Sequence, residues 1–256
     1  MKFDANVFSG EYPFRRLRPT RGDGLLRLLD RFGVEKAVAT AFPSIFYKDS
    51  LDGLRKTIAE TEGCGTRIFH YAVLNPLLDG WQEDLRRALE LPGVVGLRLF
   101  PRYHGYGLDD PRVSELVGAA TANRLPIDLA ARLVDDRLHP RFLASEPLAV
   151  ETIAAFLERH PRATIIQSRL LVGEMEKLGP TLRSLPSAWL DVGGINATVT
   201  TLDRLAEIAP VERCVFGTGL PLFCAQGLWL ALEQSGLSAA DRAKVMGQNL
   251  QRLLKL

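Results

Sequence analysis

Residues 94–112 read VVGLRLFPRYHGYGLDDPR. Val94 to Phe100 is a short apolar run, rich in β-branched and aliphatic residues and too brief for a helix, so it predicts a buried strand. Arg98 interrupts it, and a guanidinium inside a buried strand requires an anionic or carbonyl partner. Pro101 ends the strand. Arg102, Tyr103, His104 and Tyr106 follow at once, with Gly105 and Gly107 letting the backbone turn. A strand that ends in a dense polar and aromatic loop reads equally as one wall of a binding mouth or as a surface loop packed on the strand end.

The same punctuation recurs on both sides of this stretch. Strands are predicted over Phe3–Phe8, Lys36–Phe42 and Arg67–Leu74 before it, and over Pro126–Leu133, Ala163–Ser168, Ala188–Val192 and Arg213–Thr218 after it. Helical spacing falls between them: 22–32, 49–62, 81–91, 111–123, 148–160, from 171, 201–209 and 220–234. Asp49 and Asp110 are placed to cap helices, the second with Pro111 at the first helical position. Two short helices, 239–246 and 249–254, finish the chain. Eight strand–helix units in 256 residues predict parallel strands joined by right-handed crossovers, and the length matches a single-domain (β/α)8 TIM barrel over residues 1–256. A doubly wound sheet would place a glycine-rich phosphate loop after its first strand, whereas this chain has SGEYPFRRLRP.

Composition narrows the function classes. The chain is 46% hydrophobic with a formal net charge of +2, so bulk charge points to neither nucleic acid nor a membrane surface as a partner. No apolar run approaches a membrane span, and the amino-terminal segment has no signal-peptide pattern. Cys64, Cys214 and Cys224 lack metal spacing, which fits free thiols in a reduced, cytoplasmic setting. A homodimer is left open.

In a barrel the site lies where strands end and the following loops begin. That rule gathers Asn6, Phe8, Glu11, Tyr12, Phe14 and Arg15 from the first loop and Tyr47, Lys48 and Asn75 from the next two. The fourth supplies Arg98, Arg102, Tyr103, His104 and Tyr106, and the fifth Arg132, Asp135, Asp136 and His139. Gln167, Arg169 and Thr218 complete the set. The mouth is cationic and aromatic, which favours a small anionic, partly planar ligand such as a carboxylate. Within it His104, Tyr103 and Asp136 are the candidates for moving protons. Asn6, Arg15, Arg98, Arg102, Tyr106, Arg132, His139 and Arg169 are the candidates for holding substrate. For Arg98 and Arg169 the rival reading is a buried ion-pair network with Asp128 or Asp191. Only His104 and His139, of four histidines, fall on this face, which makes a weak metal site; no serine sits in a nucleophile-elbow context.

The segments FDANVFSG (3–10), GVVGLRLFPRYHGYGLDDPR (93–112), LPIDLAARLVDDRLHP (125–140), HPRATIIQSR (160–169), VFGTGLPL (215–222) and GQNLQRLLKL (247–256) together resemble the amidohydrolase-related family, the "amidohydrolase 2" branch of the metal-dependent hydrolases. The resemblance implies a (β/α)8 barrel that hydrolyses or decarboxylates small, often aromatic carboxylates, commonly with one divalent metal. It also implies that the first-strand His-x-His falls on Asn6-x-Phe8, the fifth-strand histidine on about Ala130, the sixth-strand histidine on about Arg169 and the eighth-strand aspartate on Gly219. Phenyl, methyl, glycine and guanidinium groups are no ligands for zinc. The expectation is therefore a metal-independent hydrolase or lactonase without a cofactor. A pseudoenzyme that binds a metabolite or partner protein is the alternative, and a rearranged metal set of Glu11, His104, Asp136 and His139 a third.

Overall fold

The computed structural model describes residues 1–17, 21–134, 146–195 and 199–256. Its strands are β1 (Phe3–Ser9), β2 (Lys36–Ala41), β3 (Ile68–Val73), β4 (Val94–Leu99), β5 (Ile127–Ala130), β6 (Ile165–Ser168), β7 (Ala188–Asp191) and β8 (Cys214–Val215). All run parallel in the sheet order 1 to 8. The ring is completed between β8 and β1 by the Val7–Leu220 bridge and by main-chain bonds from Ala5 N to Phe216 O and from Gly219 N to Asn6 O, each 2.7 Å. The expected eight-stranded barrel is the observed one.

The helices are α1 (Gly22–Arg31), α2 (Phe42–Phe46), α3 (Ser50–Thr61), α4 (Trp81–Leu89), α5 (Pro101–His104), α6 (Pro111–Ala122), α7 (Val150–Arg159), α8 (Val172–Ser184), α9 (Leu205–Ile208), α10 (Ala225–Gln234), α11 (Ala239–Ala243) and α12 (Asn249–Leu254). Asp49 and Asp110 cap α3 and α6, their carboxylates accepting from the main-chain N–H of Asp52 and Arg112. Two segments expected as loops are instead short helices, α2 and α5. Each has proline in its first turn, where the ring pre-sets φ and no N–H is needed. The last strand is only two residues long, Cys214–Val215, shorter than the expected 213–218. The segment around Val199–Arg204 is a 3-10 turn ahead of α9 rather than part of one helix. No helix of the described residues is long and apolar enough to cross a membrane. The three cysteines are unpaired.

Alternation along the strands sends one set of side chains out to the helices and the other into the barrel. The outer set, including Ala39, Ala72, Leu97, Leu99, Leu129 and Leu190, packs with the helices into the main core. Inside, two apolar clusters bracket a polar layer. Phe3, Ala5, Val38, Tyr71, Ile166, Trp189 and Val215 form one. Phe8, Tyr12, Phe42, Val73, Phe100, Ala130 and Leu222 form the other, toward the carboxyl ends of the strands. Asp4, Asn6, Thr40, Arg98, Asp128, Ser168 and Asp191, all essentially without solvent exposure, lie in between.

Candidate active site at the strand ends

Arg98 is the hub of the polar layer. Its Nη1 donates to Asn6 Oδ1 at 2.8 Å and to Thr40 Oγ1 at 3.0 Å, reaching β1 and β2 from β4. Its Nε lies 3.0 Å from Asp128 Oδ1 on β5. That N–H is not aimed at the oxygen, so the contact is an ion pair rather than a hydrogen bond, and Nη2 has no hydrogen-bond partner. Asp128 Oδ1 also accepts from the Ser168 hydroxyl at 2.7 Å. On the other side Asn6 Nδ2 donates to Asp191 Oδ2 at 3.0 Å, and Asp191 Oδ1 accepts from Gly193 N at 2.8 Å. Asp4 accepts from Asn6 N, Thr218 N and the Thr218 hydroxyl, the last at 2.6 Å.

Burial governs the charges in this layer. It pushes the Asp4 carboxyl up to about 7 and the Asp191 carboxyl up to about 6, against the donors that each accepts from. Asp128 is raised by burial as well, with Arg98 pulling the other way. The Arg98 guanidinium lies 4.8 Å above the Phe8 ring and 5.2 Å from that of Phe100. Of the two readings of Arg98, the buried network is the one its contacts describe.

Arg169 differs. It follows β6 with φ +62°, a left-handed backbone that costs a non-glycine residue about 1–3 kcal/mol. Its side chain is 3% exposed, yet its hydrogen bonding is sparse: Nη1 reaches Gly193 O at 3.4 Å and Nε has no partner. The guanidinium stacks 3.5 Å from the Phe223 ring centroid. Burial lowers its pKa to about 10, partly offset by Asp191, so it remains a cation at neutral pH. Gly219 lies beneath this pair: a Cβ there would sit 2.7 Å from the Phe223 ring and 3.1 Å from Arg169 Nη1.

The fourth loop packs His104 and Tyr106 inward and leaves Arg102 on the surface. His104 Nε2 lies 3.1 Å from the Ile45 carbonyl. A carbonyl only accepts, so Nε2 carries the proton and Nδ1 presents a lone pair, buried without a partner. Burial lowers the His104 pKa below its usual value. The ring packs against Phe100 and Tyr106, and Tyr106 is itself buried. Tyr103 is half-buried with its ring 5.9 Å from Phe46. Arg102 is exposed and donates to Glu146 O at 2.5 Å; Arg15 is exposed and reaches Leu222 O at 3.4 Å. Arg132 forms a two-pronged pair with Glu174, at 2.7 and 2.5 Å. Asp135, Asp136 and His139 lie outside the described residues. The structure thus brings Asn6, Arg98, Asp128, Asp191 and Arg169 together at the interior, packs His104, Tyr103 and Tyr106 on the wall above, and leaves Arg15 and Arg102 on the rim.

Four contributors escaped the sequence reading: Asp4, Thr40, Glu174 and Phe223. Asp4 and Thr40 are polar residues in otherwise apolar strands, the signal that singled out Arg98. Glu174 and Phe223 carry no local signal, because their roles come from long-range packing.

An eight-stranded parallel barrel with a polar layer enclosed between two apolar clusters is the architecture of a TIM barrel. A model of the family described as Amidohydrolase matches residues 45–256, and the chain belongs to that family. Comparison with curated proteins finds no match. Among solved structures, the chain is similar to 2,6-dihydroxybenzoate decarboxylase from Rhizobium (TM-score 0.72, 18% identity, 99% of this chain and 98% of that one). It is also similar to 5-carboxyvanillate decarboxylase from Sphingomonas paucimobilis (TM-score 0.74, 14% identity, 100% and 99%). A third is a probable 2-pyrone-4,6-dicarboxylic acid hydrolase from Acinetobacter baumannii with citric acid bound (TM-score 0.67, 14% identity, 100% and 99%).

The resemblance implies a divalent metal at the strand ends, and the described residues at the positions it assigns do not fit one. Among the described residues no three His, Cys, Asp or Glu side chains converge where they could hold a cation. The positions that the resemblance assigns to ligands carry the Asn6 carboxamide, already bonded to Arg98 and Asp191, the Phe8 ring, the Ala130 methyl, the Arg169 guanidinium and the Cβ-less Gly219, and the space beside Gly219 is taken by Arg169 and Phe223. A guanidinium in that space repels a second cation.

Proposed function

We propose that this chain is a metal-independent enzyme of the hydrolase or lactonase type, acting on a small carboxylated, partly planar compound at the mouth of the barrel. The observation that carries this reading is Arg169, a buried cation with one long hydrogen bond, held in a strained backbone at a strand end. Strain at such a place is characteristic of ligand clamps. In this reading Arg169 pairs with the carboxylate and the aromatic groups around it cover the planar part. His104, neutral with a bare Nδ1, accepts the proton when water is activated, and Tyr103 and Asp136 assist. Arg102, Arg15 and His139 draw the anion toward the mouth. The names of the similar structures, two decarboxylases of carboxylated aromatics and a probable hydrolase of a pyrone dicarboxylic acid, agree with an anionic substrate. Purified protein screened against lactones and aryl esters bearing a carboxylate, with and without chelator, tests this. The expected result is turnover that chelator leaves unchanged and R169M abolishes. Turnover that stops with chelator contradicts it.

One observation favours a second reading, ligand binding without turnover. Phe8 and Phe42 stack at 5.0 Å with planes 7° apart, and Tyr12, Phe14, Phe46 and Phe100 pack onto them, so apolar side chains fill much of the space above the polar layer. A carboxylate that binds and is never consumed would select this reading.

A further inference from the structure

We propose that Arg132 and Glu174 are positioning residues, whose pair holds Arg169 in the pose that presents its guanidinium to an anion. The proposal rests on the anion-binding reading of Arg169 given above. Arg132 follows β5, Glu174 lies in the first turn of α8, and the chain between β6 and α8 runs through Arg169, Leu170 and Leu171. The pair grips that turn at both ends. Arg132 Nη1, besides its bond to Glu174 Oε2, donates to the Arg169 carbonyl at 2.8 Å. Glu174 Oε2 also accepts from the Leu171 N–H at 2.7 Å. Both side chains are largely shielded, 8% and 23% exposed, so water competes little for these bonds.

This arrangement explains how a non-glycine residue stays at φ +62°. A left-handed arginine relaxes unless its surroundings over-determine it. The Ser168 carbonyl accepts from Ala131 N at 3.0 Å and the Arg169 carbonyl from Arg132, so the peptides on both sides of the Arg169 Cα are anchored, and Glu174 holds the chain again at Leu171 N. The far end of the side chain is then fixed by its stack on Phe223. The planar fork of Arg132 suits this task, because one guanidinium serves a carboxylate and a carbonyl together; a lysine would keep the charge and lose the geometry. Glu174 also satisfies the start of α8, a structural role that a glutamine would retain through its own carbonyl. Glu174→Gln therefore separates helix capping from the ion pair.

The test uses the full chain, benzoate as the anionic probe, and the NMR resonance of the Arg169 Nε–Hε pair, identified by its loss in R169M. E174Q and R132K are each expected to move and broaden that resonance and to weaken benzoate by about tenfold or more, with E174D restoring part of the affinity. In an R169M background, E174Q should change benzoate affinity by less than about twofold, since the pair then has nothing to position. A resonance unmoved in both E174Q and R132K overturns the proposal. If the unaltered chain fails to bind benzoate, the anion-binding reading falls, and the resonance alone still decides whether the pair sets the pose of Arg169.

Discussion

Arg98 and Asp128 are register partners on neighbouring strands, their charged groups 3.0 Å apart and both wholly inside the barrel. Asn6 and Thr40 accept from Arg98 Nη1 and Ser168 donates to Asp128 Oδ1, while Arg98 Nη2 and Asp128 Oδ2 have no hydrogen-bond partner. Removing one partner of such a pair leaves a charge that nothing neutralises. R98M and D128N are each expected to destabilise the chain by about 3–5 kcal/mol in urea unfolding, since either leaves the other group buried without its partner. The double variant R98M/D128L should cost less than the sum, as a double-mutant cycle would register. Additive losses would place the two groups in separate environments.

The carboxyls of Asp4 and Asp191, pushed up to about 7 and about 6, give the fold a defined pH dependence. Unfolded aspartates titrate near 3.9. Between about pH 4 and pH 7 the folded chain retains protons that the unfolded chain has released. Their contribution to stability is complete below about pH 4 and is lost as pH rises through 6 and 7, by up to about 1.4 kcal/mol per pH unit for each carboxyl. Urea midpoints measured from pH 5 to pH 8 should decline, and D4N should flatten the decline. An unaltered decline in D4N would assign it to other groups.

His104 is expected to titrate below 6.5 and to remain in its Nε2–H tautomer above that midpoint, because burial disfavours the charged ring and the Ile45 carbonyl holds the Nε2 proton. Nitrogen chemical shifts of the imidazole, followed from pH 4.5 to pH 8, report both. A midpoint above 6.5, or the Nδ1–H tautomer, would remove His104 as a ready proton acceptor at neutral pH.

Placing at 219 the aspartate that the resemblance implies should not create a metal site. Gly219 has φ +71°, and any Cβ there meets Phe223 and Arg169. G219D is expected to lose about 1–3 kcal/mol of stability through backbone strain and crowding. Elemental analysis should find no stoichiometric zinc or manganese. A stoichiometric metal in G219D would show that the ligand set is closer to intact than Phe8 and Arg169 imply.

The architecture was legible because its signals are local. Apolar runs of strand length, the capping aspartates Asp49 and Asp110 and the recurring turn residues each act over a few positions, and their alternation specifies a parallel barrel. The α2 and α5 turns were missed because Pro43 and Pro101 read as strand terminators, although the same prolines suit a first helical turn. At the site, Arg98 and Arg169 stood out as charges at the ends of apolar strands, and both lie inside. What separates them is invisible in one dimension. Arg98 is enclosed by partners contributed from β1, β2 and β5, whereas Arg169 is enclosed by an aromatic ring and a backbone turn. Arg132 looked like a substrate contact by its position after β5; its pairing with Glu174 depends on α8 folding back beside it.

The interlock of Gly219, Phe223 and Arg169 also bears on how this lineage can change. Each of the three fits only because the other two are as they are: the missing Cβ admits the ring, and the ring seats the guanidinium. A descendant that changed any one of Gly219, Phe223 and Arg169 alone would meet a steric or electrostatic penalty from the two left unchanged. The three positions are thus coupled by epistasis, and selection acting one codon at a time can refine the groups around them far more readily than it can exchange any one of them.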